Sequence, residues 1–266
     1  IKMGVKTEKA TAEYGPGQYE INFSHKSPVR ACDDFLTFRQ AFRAIARGHG
    51  LVGTLMPKPF EALAGSGLHL HLNLVNSRTG KNVFFDKGDR RGIGLSKLGH
   101  HFLGGILEHA AALTAIGSPS VNSYRRMRPG TWAPAHVCYG VGNRAVMVRI
   151  PKRMAPSMRI EFRAADGTCN PYLLANALLA AGMHGVEEEL DPGKSVTEDI
   201  GSWSDEKAVR RGYRRLPSDL KEAISALKSD KELIDRVSRP MFEGFIKIKE
   251  AEWDDYQCHV SEWERR

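Results

Sequence analysis

Apolar positions along this chain recur with two different periods, and the alternation between them predicts its elements. Phe35, Phe38, Phe42 and Ile45 recur at helical spacing, predicting an amphipathic helix over 31–48. A short strand over 51–55 leads into residues 65–74, where period two sends Leu68, Leu70, Leu72 and Leu74 to one face and His69, His71 and Asn73 to the other. Residues 98–116 read as a mostly buried helix, with His100, His101 and His109 as packing or surface residues. Strands are predicted around 136–139, 145–150 and 159–163. Pro171, at a favoured first-turn position, then opens an Ala-rich helix ending near Leu190, whose Ala177 to Ala181 run suits close helix packing. Beyond Asp191-Pro192-Gly193 the composition turns polar, as an outer loop does. Another helix begins at 216–222 with Ser218 as its cap, and 240–264 reads as a terminal helix. Short strands with one apolar and one polar face predict an α+β fold: a largely antiparallel sheet covered by helices on one side.

Chemistry gathers on the polar faces of three of these strands. His69 and His71 lie side by side, either to hold a metal or phosphate or as a hydrogen-bonded structural pair. In 13–22 a Gly15-Pro16-Gly17 turn feeds a strand with Gln18, Glu20 and Asn22 on one face and Tyr19, Ile21 and Phe23 on the other; Glu13 lies just before the turn. In 159–163 the polar face carries Arg159, Glu161 and Arg163, and the other Ile160 and Phe162. Taken singly, this last segment also reads as a solvated edge strand with cross-strand ion pairs. Together the three hold carboxylates, imidazoles and guanidiniums. Hard divalent cations want carboxylate oxygens and Arg forks want phosphate or carboxylate, so the inventory fits phosphoryl transfer.

Composition narrows the class. With 266 residues, 41% of them hydrophobic, the chain can bury a sizeable core, and one large domain is the default. No signal peptide or membrane-length apolar run is present, and Cys32, Cys138, Cys169 and Cys258 show no paired spacing, so reduced thiols and the cytoplasm are expected. The net charge of +8 and the cluster Arg210, Arg211, Arg214 and Arg215 raise nucleic acid as a partner. Anionic small substrates call for the same arginines, and no aromatic-plus-basic motif accompanies them, so neither nucleic acid nor membrane is expected.

Five stretches then resemble the glutamine synthetase family, in the family's order: 13–20; 65–71; 122–126 with Pro129-Gly130; Asn143-Arg144 followed by 149–151; and 159–163 followed by Asn170-Pro171-Tyr172. The resemblance implies a half-barrel sheet, ATP and Mg2+ or Mn2+ as cofactors, and glutamate with ammonia or an amine as substrates. It implies Glu13 and Glu20 as ligands of the metal facing the substrate, and His69 and Glu161 as ligands of the metal facing the nucleotide. Arg126 and Arg163 match glutamate-binding positions, Arg144 the one that stabilises the transferring phosphoryl group, and Arg149, Arg159 and His71 positions near the nucleotide phosphates. Gly65 matches a position offering backbone to the amino acid, and Arg144 and Arg163 are the expected catalytic pair. In this chemistry the glutamate side chain becomes an acyl phosphate that an amine then attacks.

Departures from the family pattern refine the expectation. Ammonia-using members place a Glu two residues after Pro-Gly as a base for ammonium, and Trp132 stands there, either as an apolar wall for an alkyl amine or as packing for the flap. Ala64 replaces a frequent Asn. Pro156 replaces a frequent basic residue, for which Lys152 and Arg153 are near enough to substitute. Tyr213 lies near where some bacterial members carry an adenylylated Tyr, on too short a match to assign that regulation. Family polypeptides are longer, with a small N-terminal domain and an early Glu-x-Glu strand. Residues 1–266 therefore read as the C-terminal part of the catalytic domain, with those parts absent and each metal site one ligand short. The expectation is an ATP-dependent glutamate ligase, most simply one using ammonia; a γ-glutamyl-amine or polyamine ligase is the alternative, and a non-catalytic nucleotide-binding relative the second. Full-length members form stacked rings, implying a homo-oligomer.

Overall fold

Two strands, β1 (Thr7–Ala12) and β2 (Tyr19–Phe23), pair antiparallel as a ribbon, closed by a turn in which Gly15 accepts a bond from Gln18 N at 2.9 Å and Gly17 takes φ 72°. The positive φ at Gly17 is open to glycine without steric cost. In this computed structural model residues 3–152 and 157–266 are described. Helix α1 (Pro28–Gly48) follows with Pro in its first turn, close to the predicted 31–48. The His strand is β3 (Leu68–Leu72), shorter than its alternation indicated.

The predicted helix over 98–116 is two, α2 (Lys97–Glu108) and α3 (Ala110–Gly117), jointed at His109. His109 is buried, its Nδ1 2.7 Å from Asp230 Oδ2 and its Nε2 2.8 Å from His184 Nδ1, so the joint is tied to two other elements. A short α4 (Ser123–Arg126) precedes β4 (Tyr139–Val141), β5 (Val148–Ile150) and β6 (Ile160–Ala165). Helix α5 (Pro171–Glu187) is capped by Asn170, whose side chain accepts from Tyr172 N and Leu173 N. After α6 (Asp205–Arg210), α7 (Leu220–Ser229) is capped by Asp219 rather than the expected Ser218. Ser218 instead donates through N and Oγ to the Glu222 carboxylate, completing a reciprocal cap. Helices α8 (Lys231–Val237) and α9 (Arg239–Cys258) close the chain.

The expected half-barrel is not found. The second sheet has the order β3-β6-β5-β4, with β3–β6 and β5–β6 antiparallel but β4–β5 parallel, and the β1–β2 ribbon forms a sheet of its own. The described residues thus form mixed sheets covered by helices, without a closed or curled one. Curling needs many strands bonded laterally so that twist accumulates, and here four short strands end the ladder. Ile160, Phe162 and Ala164 of β6 point into the core, which Phe102, Leu103, Ile106, Leu113, Leu174 and Leu178 of the covering helices complete. Helices α2 and α5 touch through glycines: a Cβ on Gly105 would stand 2.0 Å from Ala181 O, and one on Gly185 2.2 Å from His101 O. The opposite face of the sheet keeps its polar side chains.

Candidate active site

The register of the mixed sheet decides which polar side chains meet. His71 of β3 and Arg149 of β5 both pair with Glu161 of β6, so the three stand in a row on the face away from the helices. The β3–β6 register shifts between Leu68 and Leu70, and this irregularity sets His69 beside both Glu161 and Arg163. His69 Nδ1 lies 3.3 Å from Glu161 Oε1 and 3.4 Å from Arg163 Nη1. Glu161, 1% exposed, accepts from Arg163 Nη1 at 2.6 Å on Oε1 and from Arg149 Nη1 at 2.8 Å on Oε2. Two guanidiniums thus hold one buried carboxylate in a single rotamer. Burial, reinforced by Arg163 and Arg126, holds the His69 imidazole well below its usual range and therefore neutral at pH 7. Burial also lowers His71, whose Nδ1 accepts from Arg159 Nε at 2.9 Å.

A second group of residues closes one end of this face. Arg126 is buried, with its Nη2 donating to Ala165 O at 2.7 Å, and desolvation brings its guanidinium down to about 10. Gly65 is small because it must be: a Cβ there would stand 2.7 Å from both Arg126 Cγ and Pro57 O. Gln18, at the turn of the ribbon, donates through Nε2 to Gly65 O at 3.0 Å and Ser66 Oγ at 3.1 Å, joining the ribbon to the start of β3. Asn122 accepts from Lys58 N at 2.7 Å and donates to Lys58 O at 3.1 Å, holding the preceding loop.

The Pro-Gly segment lies over the other end. Arg163 Nη2 donates to Arg144 O at 2.9 Å and Trp132 O at 3.4 Å, so the guanidinium that pairs with Glu161 also ties this segment down. The Trp132 side chain is 59% exposed; its ring stands 5.3 Å from that of Tyr14 and 6.0 Å from Arg144 Cζ. Trp132 is thus not core packing. It joins Tyr14, before the ribbon turn, to the Arg144 loop.

The residues expected from sequence therefore divide. His69, His71, Arg149, Arg159, Glu161 and Arg163 are brought together by the sheet, Gly65 and Arg126 pack against each other beside it, and Trp132 with Arg144 overhangs it. Glu13 and Glu20 are exposed on the ribbon, where Glu20 Oε1 accepts from Asn22 Nδ2 at 2.8 Å. Among the described residues no three His, Cys, Asp or Glu side chains are grouped closely enough to hold a metal ion. The neutral His69 imidazole beside the Glu161 carboxylate fits part of a coordination shell for a hard divalent cation, with further oxygens required. Lys152 is exposed, while Arg153 and Pro156 lie outside the described residues. Two residues absent from the sequence-based site enter it here. Gln18 had a signal, since it shares the polar face of the ribbon strand; Tyr14 had none, because only folding sets it on Trp132.

A family model described as the glutamine synthetase catalytic domain matches residues 1–266. The glutamine synthetase of Thermotoga maritima is 39% identical over 263 residues, covering 99% of this chain and 59% of the relative. The glutamate–methylamine ligase of Methyloversatilis universalis is likewise 39% identical, over 98% of this chain and 59% of its own length. A solved GmaS/ADP complex superposes on all of the chain with a TM-score of 0.89 at 36% identity, the chain covering 60% of it. The chain thus spans about three fifths of the length of these relatives. With the motifs in family order and the match running from end to end, this chain belongs to the glutamine synthetase family, as part of its catalytic domain.

Proposed function

We propose that the protein acts as an ATP-dependent ligase that joins the side-chain carboxylate of glutamate to an alkyl amine. The observation that carries the choice of acceptor is Trp132, which stands, exposed and against Tyr14, where ammonia-using members place an acid. An indole offers an alkyl group apolar contact and offers ammonium no proton acceptor. Similarity to a glutamate–methylamine ligase and to GmaS structures supports this reading over ammonia.

In this reading Arg126 and Arg163 neutralise the glutamate carboxylates, and Arg163 also fixes the Trp132 and Arg144 segment through the bonds to its carbonyls. Arg144 offsets charge on the transferring phosphoryl group, while Arg149, Arg159 and His71 face the nucleotide phosphates. Glu13 and Glu20 ligate one Mg2+ or Mn2+, and His69 and Glu161 the other. Bound metals supply charge neutralisation between two anions that must meet. The reading also carries a cytoplasmic homo-oligomer of stacked rings.

Phosphate release from ATP and glutamate by the natural-length protein tests it, with ammonium, methylamine, ethanolamine and putrescine compared at saturating magnesium. An alkyl amine is expected to win, and Trp132→Ala to lower kcat/KM for that amine about tenfold relative to ammonium, as apolar pocket contacts allow. A clear preference for ammonium would overturn the acceptor assignment. Nucleotide binding without phosphate release for all four amines would mark a non-catalytic relative.

A further inference from the structure

Arg126 has three nitrogens, and the structure accounts for two. Nη2 is held by β6 carbonyls, 2.7 Å from Ala165 O and 3.4 Å from Arg163 O. Nη1 faces the site, 3.0 Å from where a Cβ on Gly67 would stand. Nε is buried without a partner, in a residue only 5% exposed.

One residue beyond Ala165 the chain carries Asp166, which is fully buried. Its Oδ1 accepts from Thr168 N at 2.9 Å and from the Thr168 hydroxyl, while its Oδ2 has no partner. Its own N donates to Gly117 O at 3.0 Å, anchoring it between the end of β6 and the end of α3. Tyr124, two residues before Arg126 on α4, is also buried, with its hydroxyl unpartnered. The Asp166 charge is felt at both: it opposes the desolvation of Arg126 and adds to the rise of the Tyr124 phenol. Buried polar atoms are almost always satisfied, and an isolated buried guanidinium needs a counter-charge. A donor, an acceptor and a hydroxyl that serves as either are enclosed together, out of reach of substrate.

We propose that Asp166 is a positioning residue: with the Tyr124 hydroxyl it holds the Nε edge of Arg126, so that Nη1 alone is left to meet the glutamate carboxylate. This rests on the proposed role of Arg126 in glutamate binding. The division of labour is geometric. The strand fixes one edge of the fork, the buried acid a second, and the third projects past Gly67. Asp166 touches no substrate and acts through Arg126.

Asp166→Asn in the natural-length protein is the test, because the carboxamide keeps an oxygen for Thr168 and removes the charge. The KM for glutamate is expected to rise at least tenfold, with the KM for ATP within twofold, kcat at saturating glutamate within threefold and Tm within a few degrees. A glutamate KM within twofold of the parent overturns the proposal, as does a parallel rise of both KM values, the mark of a merely structural role. Should the variant fail to fold, Tyr124→Phe decides: a glutamate KM raised threefold or more supports the proposal, and an unchanged one overturns it. Glutamate-dependent phosphate release by the parent is measured alongside. Its absence with every amine overturns the ligase reading itself, and this inference with it, whereas an active parent with an indifferent Asp166→Asn variant overturns this inference alone.

Discussion

Glu161 shows how much of this site is electrostatics concentrated on one residue. Its carboxylate is almost fully buried, and two guanidiniums and an imidazole surround it. Removing the charge leaves Arg149 and Arg163 without a counter-ion, and breaking such a buried network costs about 3 kcal/mol. Glu161→Gln is therefore expected to lower Tm by roughly 6–12 °C for a domain of this size while manganese affinity falls steeply. Thermal melting and a manganese titration check both; an unchanged manganese affinity would remove Glu161 from the ligand set. Residue types here were legible in the sequence, since alternation alone put His69, His71 and Glu161 on polar faces. Their pairing was not. That Arg163 spends its second edge on the Trp132 and Arg144 carbonyls depends on how a distant segment folds over the sheet.

At the scale of elements, packing overrules local pattern at three places. The apolar run at 51–55 predicted a strand, yet no strand lies beside it to accept its hydrogen bonds; Gly50 turns at φ 71° and Thr54 Oγ1 bonds Met56 N instead. The helix over 98–116 is jointed at His109 because that side chain is held from α5 and from the Asp230 corner. Helices α2 and α5 approach until only glycines fit between them. Gly105→Ala would drive a methyl into Ala181 O, so a cost of about 1–3 kcal/mol is expected. Gly244 in α9 has nothing within 4 Å of an added Cβ, so Gly244→Ala should hold or slightly raise Tm. Equal melting of the two variants would show that α2 and α5 pack less tightly than described. The Ala-rich stretch of α5 announced close packing; the partner it would pack against was not readable.

Over the whole molecule, the ribbon carrying Glu13 and Glu20 is hydrogen-bonded into neither edge of the four-stranded sheet. Its tie to the site is Gln18 on Gly65 and Ser66. Metal-binding carboxylates are thus split between two sheets, and no described group of three could close a coordination shell. We expect the 266-residue chain by itself to bind manganese weakly, with binding tightened by nucleotide phosphates, which bring oxygens of their own. Calorimetric titration with and without ADP measures this; tight binding of manganese alone would mean that the ribbon closes on the sheet. None of the described helices is long and apolar enough to cross a membrane. What the sequence by itself determined was the kind of chemistry and its carriers, because alternation and residue type are local and survive without a fold: two His, buried and exposed acids, and arginines on named faces. Only the tertiary structure decided the mixed, open sheet in place of a half-barrel, the triple use of Arg163 and the enclosure of Asp166 beside Arg126. Strand order, register and burial depend on contacts between segments far apart in the chain, and no local pattern encodes them.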